Sequence, residues 1–143
     1  MYVNWNEVEH PVAHVHTQNG LAKSLIKRLK LIARPLLMKA NLPMTTWGYA
    51  ILHAAVSIHI SPTSYHKYSH LQLVFGQQSN ISHLRIFGCL VYVPISTPKR
   101  TMMGPQRRLR IYVRYDSPSI IKCLEPSTND LFTTRFADSY FDE

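Results

Sequence analysis

The spacing of apolar residues changes character near the middle of the chain. From Leu21 onward they fall at Leu21, Leu25, Leu29, Ile32 and Leu36, a three-and-four rhythm that predicts an amphipathic helix. Thr17 or Asn19 can cap it, because either side-chain oxygen can accept an amide hydrogen of the first turn. Pro35 removes a backbone donor and is expected to kink the helix or end its regular part. After the break at Asn41-Leu42-Pro43, Thr45 or Thr46 can cap a second helix from Trp47 to about Ile60. That helix is apolar nearly all round and so belongs in a core or an interface, with Trp47 and Tyr49 as anchors. Turn chemistry at Ser61-Pro62-Thr63-Ser64 ends it, and a short third helix, Ser69 to Phe75, stops at Gly76. Upstream of all three, residues 1–16 read as one extended segment rich in valine.

Beyond Gly76 the rhythm becomes that of strands. Cys89–Val93, Leu109–Val113, Ile120–Leu124 and Leu131–Phe136 are short β-rich runs separated by turn-rich stretches. Helices succeeded by a meander of small strands predict an α+β chain. The change of rhythm at Gly76 separates a helical half from a β-rich one.

Charge sharpens this picture. The chain has 16 Lys and Arg against 8 Asp and Glu, and between Glu9 and Asp116 no acidic residue occurs while 14 of those cations do. A field of one sign favours an anionic partner, nucleic acid first. It also excludes chemistry that needs paired carboxylates within this stretch, such as glycoside hydrolysis or two-metal phosphoryl transfer. On a helical wheel Lys23, Lys27, Lys30 and Arg34 cluster opposite the leucines, within about 60° of arc. Four cations along about three turns can track a phosphate backbone. Lys99, Arg100, Arg107, Arg108, Arg110 and Arg114 form a second cluster, interleaved with Tyr92, Tyr112 and Tyr115. Such a pattern on a small sheet can bind single strands by stacking. Among these, Lys23, Lys27, Lys30, Arg34, Arg107 and Arg108 are the candidate nucleic-acid-binding residues.

Other chemistry is weakly signalled. His10, His14 and His16 lack the further ligands that zinc requires. Cys89 lies in an apolar run and reads as a buried thiol, nothing marks it or Cys123 as a nucleophile, a reducing, intracellular setting is expected, and no nucleophile-elbow Gly-x-Ser-x-Gly is present. No catalytic residue, metal or cofactor is assigned. No apolar run approaches the roughly 20 residues of a membrane span, so no membrane partner is expected.

The segment HTQNGLAKSLIKRL, His16 to Leu29, resembles the catalytic-helix region of copia-type retrotransposon integrases, which carry a Gln-Asn-Gly-x-Ala-Glu signature. Ala33-Arg34, Leu36-Leu37-Met38, Leu42-Pro43 and Trp47 are similar to that family's next helices. HLRIFGCLVYV (His83 to Val93) is similar to the family's most recognisable motif after the core. MGPQRRLRIYVRYD (Met103 to Asp116) and Phe141-Asp142-Glu143 resemble the small β-barrel beyond that core. The resemblance implies a Gag-Pol fragment: in residues 1–80 the last helices of a ribonuclease-H-like core, its sheet mostly missing, and in 81–143 a small antiparallel β-barrel. It also implies that two Asp and one Glu should hold two metal ions. Here the Glu position is Lys23, whose ammonium repels a cation and offers only donors. Neither Asp is found. The expected protein is therefore not an enzyme but an inactive remnant with residual nonspecific affinity for DNA, nuclear by family analogy. The alternative is a structural or interaction remnant that self-associates, as a homo-oligomer or aggregate, through exposed apolar helix faces. Arg110 and Arg114 stand where resembling sequences place glycine, which predicts strained packing in the barrel.

Overall fold

A computed structural model describes residues 19–78 and 80–143. The extended segment 1–16, the cap candidate Thr17 and the three early histidines lie outside the described residues.

Helix α1 spans Gly20–Ala40 and runs through Pro35 rather than ending there. The carbonyl that Pro35 leaves without a partner is that of Leu31, and both residues are exposed, so water can take the missing bond. Asn41 stops the helix in the left-handed region (φ 51°). Its amide donates to the Met38 carbonyl and that of Leu42 to the Leu37 carbonyl, a Schellman pattern. Helix α2, Trp47–Ile60, begins after Thr46, but the Thr46 hydroxyl donates backward to the Pro43 carbonyl (2.7 Å) rather than accepting from the helix. Helix α3, His70–Phe75, stops at Gly76 as its sequence predicts, with Ser69 as its cap rather than its first residue. The Ser69 hydroxyl accepts from the Gln72 amide (3.2 Å), and Gly76 terminates the helix at φ 69°.

Five strands come next: β1 Leu90–Pro94, β2 Arg107–Ser117, β3 Ile120–Leu124, β4 Leu131–Arg135 and β5 Tyr140–Asp142. They form one antiparallel sheet in the order β4-β3-β2-β1-β5. The α+β class holds. Strand β2 is longer than its apolar run suggested, and β5 is an element that the periodicity did not predict.

The order forces the sheet to curl. Laid flat, five strands would hold β4 and β5 about 19 Å apart. The five steps from Arg135 to Tyr140 span at most about 18 Å even when fully extended. The Phe136 and Phe141 rings, just beyond the end of β4 and within β5, lie 5.3 Å apart. Register shifts between Tyr112 and Arg114 and between Tyr115 and Ser117 mark bulges that add bend to β2.

Curling gives the sheet a core on each face. Outside, Val113 and Leu124 join Phe87 against Ala33 and Leu37 of α1 and Ala50 and Ala54 of α2. Inside, Cys89, Val91, Val93, Tyr112, Ile121 and Cys123 pack together, with Phe136 and Phe141 against them. Helices and sheet meet closely at Gly88. It adopts φ 79°, and a Cβ there would fall 2.2 Å from that of Ala40.

Both cysteines are buried thiols, Cys89 as its apolar run predicts. Burial pushes Cys89 up to about 11 and Cys123 up to about 12, from an ordinary value of 9.0. Burial raises the Tyr112 phenol too. Raised acids favour folding below their unfolded values and lose that contribution as pH climbs through the folded ones. Stability should therefore fall between about pH 9 and pH 12, read by thermal melts across that range. At pH 8, Ellman's reagent should react with less than about a tenth of the two thiols in native protein and with both in denaturant, releasing its own thiolate. Rapid native release would show the inner core to be open.

The strain expected at Arg110 and Arg114 is absent. Asn41 and Asn129 are the non-glycine residues with positive φ among the described residues, so both arginines keep ordinary strand geometry. Arg110 lies over the Phe132 ring (3.7 Å to its centroid) with Nε 3.2 Å from Glu125 Oε2. Arg114 donates to Asp116 at 2.9 Å.

Candidate nucleic-acid interface

Helix α1 carries the first candidate group. Only its second half is packed: Ala33 and Leu37 are buried and Leu29, Ile32 and Leu36 lean on the same core. Leu21 (89 % exposed) and Leu25 (52 %) lie outside it, so the leucine face predicted to be continuous is covered only from Leu29 onward. Lys23, Lys27, Lys30 and Arg34 are all exposed. Their three- and four-residue spacing stacks them along one side of the helix.

This arrangement is electrostatically unfavourable by itself. Lys23–Lys27, Lys27–Lys30 and Lys30–Arg34 are like-charged neighbours, each costing about 0.2–0.5 kcal/mol. The first turn has no acidic residue, and Lys23 lies close to the positive end of the helix dipole. Among the described residues none of the four cations has a salt-bridge partner. A polyanion laid along the helix would relieve both repulsions.

The sheet disperses the second cluster. Arg107 and Arg108 are adjacent in sequence but, as consecutive strand residues, point to opposite faces. Arg107 is partly engaged: its Nη1 donates to the Asp138 carbonyl (3.3 Å) and reaches that of Tyr92 (3.5 Å). Arg108 pairs in register with Val93 and so shares the inner face, where it and Lys99 line a cleft. Arg110 and Arg114 are neutralised by Glu125 and Asp116, and Lys122 lies 3.6 Å from Asp116 as well.

The predicted tyrosines divide in the same way. Tyr112 is fully buried and cannot stack on a ligand. Tyr115 lies against His83, with ring centroids 4.5 Å apart. Tyr92 packs near the exposed Tyr140 at 6.2 Å. Phe132 does not stand out in the sequence. The only signal for it is its register opposite Cys123 on the inner face. Trp47, predicted as an anchor, is largely exposed and lines a groove between α1 and α2.

Among the described residues no three His, Cys, Asp or Glu side chains gather as a metal site would require. Nor is any helix there long and apolar enough to cross a membrane.

No protein-family model and no solved structure matches the chain. Curated proteins do. The chain is 29 % identical, over 99 % of its length, to the retrovirus-related Pol polyprotein from transposon RE2 of Arabidopsis thaliana. It is 28 % identical over 94 % of its length to that from transposon RE1 of the same plant. The corresponding polyprotein of transposon TNT 1-94 from Nicotiana tabacum is 26 % identical over 68 % of the chain. The match covers 10 %, 9 % and 7 % of these relatives, so the chain spans at most about a tenth of their length. The chain is thus a relative of one short stretch of retrovirus-related transposon Pol polyproteins, the family class its motifs resemble.

Proposed function

We propose that this chain is a catalytically inactive piece of a retrotransposon integrase that keeps a nonspecific affinity for nucleic acid, DNA above all. The observation that carries the reading is the exposed row Lys23, Lys27, Lys30 and Arg34, without an acidic partner among the described residues. Arg107 and Arg108 point to opposite faces of the sheet and so do not continue this row as one surface. Inactivity rests on Lys23, a cation where the resemblance calls for a metal-binding carboxylate. On this reading residues 1–80 derive from a ribonuclease-H-like core and 81–143 from the small β-barrel beyond it, and the protein acts in the nucleus. The curled sheet fits the barrel assignment, and the outer core around Val113 joins the two parts.

The test is a salt titration of binding to a labelled duplex. Four phosphate contacts give a log–log slope near −3.6, from about −0.9 per contact. A slope near zero, or no binding at low salt, would overturn the proposal.

A second reading has its own observation. Met38, Met44 and Trp47, all 60 % exposed or more, line the groove between α1 and α2. An apolar surface of that kind favours association. Under the preferred reading the protein elutes from size exclusion as a monomer over a roughly hundredfold range of concentration. A concentration-dependent shift that Met44→Glu abolishes would favour self-association instead.

A further inference from the structure

The inner face of the sheet opens at one end into a cleft of about 340 Å³, which the helix stripe does not touch. Strand β3 ends at Leu124, opposite Ile111, so the outer part of β2 overhangs it. Arg108 and Arg110 line that overhang. Val93 borders the cleft beside them, Lys99 comes from the long β1–β2 connection, and Phe132 and Thr134 come from β4.

The charges there are unequal in what they can do. Arg110 is held between Glu125 and the Phe132 ring and acts as a fixed wall. Lys99 and Arg108 are exposed, and no acidic group lies within salt-bridge distance of either among the described residues. A phosphate set between them would receive charge-assisted hydrogen bonds from both. Phe132 gives one face to Arg110 and remains 37 % exposed, leaving ring surface on which a flat base can lie.

We infer that this cleft is a subsite for one nucleotide of a single strand, its phosphate on Lys99 and Arg108 and its base on Phe132. Size decides against a duplex. The cleft is at the lower end of the ~300–1,000 Å³ typical of small-ligand sites, and paired bases cannot turn outward into it. The inference extends the proposed nucleic-acid affinity, but through residues that do not include the α1 stripe.

The experiment measures fluorescence anisotropy with a labelled oligothymidylate, a duplex of equal length, and unlabelled thymidine monophosphate as competitor. It compares wild type, Lys99→Ala/Arg108→Ala, Phe132→Leu, and a variant with the four α1 cations changed to Gln, each checked for folding by circular dichroism. Both cleft variants should lose roughly fivefold or more on the single strand, the range expected for one stacked base, and less than about twofold on the duplex. The α1 variant should lose on both. Competition by the mononucleotide would extend the site to free nucleotides, and its absence would restrict it to strands. Equal loss on strand and duplex in the cleft variants, or none, overturns the subsite while leaving the helix reading intact. Loss on the strand only in the cleft variants, with an unchanged α1 variant, overturns the helix reading instead. No binding by wild type overturns both.

Discussion

Gly88→Ala should lower the thermal midpoint by roughly 10 °C or more. Two independent penalties meet there. An alanine at φ 79° leaves the ordinary backbone regions, at a cost of about 1–2 kcal/mol. Its Cβ would also fall 2.2 Å from the Ala40 Cβ and 3.2 Å from the Ala40 Cα, within the last turn of α1. Overpacking of this kind costs about 1–3 kcal/mol. The terms can be separated. Ala40→Gly removes the methyl on the other side, so the double variant should recover the overpacking part and keep the backbone part. A double-mutant cycle by thermal or urea melts measures the coupling. Additive effects would mean that α1 and the turn at Gly88 do not meet as described.

The second large effect concerns binding. Changing Lys23, Lys27, Lys30 and Arg34 to Gln should reduce affinity for duplex DNA by roughly 10³-fold at 0.1 M salt and flatten the salt slope by three to four units. Both numbers derive from one counterion released per neutralised phosphate. Lys23→Glu alone makes a sharper test because its two consequences have opposite sign. It replaces a cation near the positive helix end by an anion, which should stabilise α1 by about 0.3–1 kcal/mol. The same change should weaken DNA binding by more than the loss of a single contact. An unchanged slope in the fourfold variant would leave the row as an ordinary solvated face.

Much of this was legible from local chemistry. The helical rhythm placed α1 and α2, and Gly76 gave the end of α3, because a helix stop acts within four residues of what it satisfies. The row on α1 was readable because a helix turns sequence spacing directly into a surface. The sheet was less transparent. Strand β2 alternates arginines with apolar residues on two faces that are both in use, so neither face shows a clean pattern and its ends were obscured. Strand β5 is three residues long and contains Asp142, too brief for any period, and it exists because β1 offers it an edge. Tyr112 looked available for stacking until the curl enclosed it. The cleft at Lys99, Arg108 and Phe132 is assembled from three separate segments, and no linear pattern announces such a meeting.

The way β5 joins the sheet bears on how the chain is made. Val91 pairs with Phe141, fifty residues further along, while β1, β2 and β3 each pair with the strand that follows in sequence. During synthesis those pairs can form as they leave the ribosome, but one edge of β1 stays bare until residue 142 has emerged. Closing so distant a pair is slow. Throughout that delay β1 presents unpaired backbone to any other strand nearby, so the sheet stays open to wrong partners until β5 has docked.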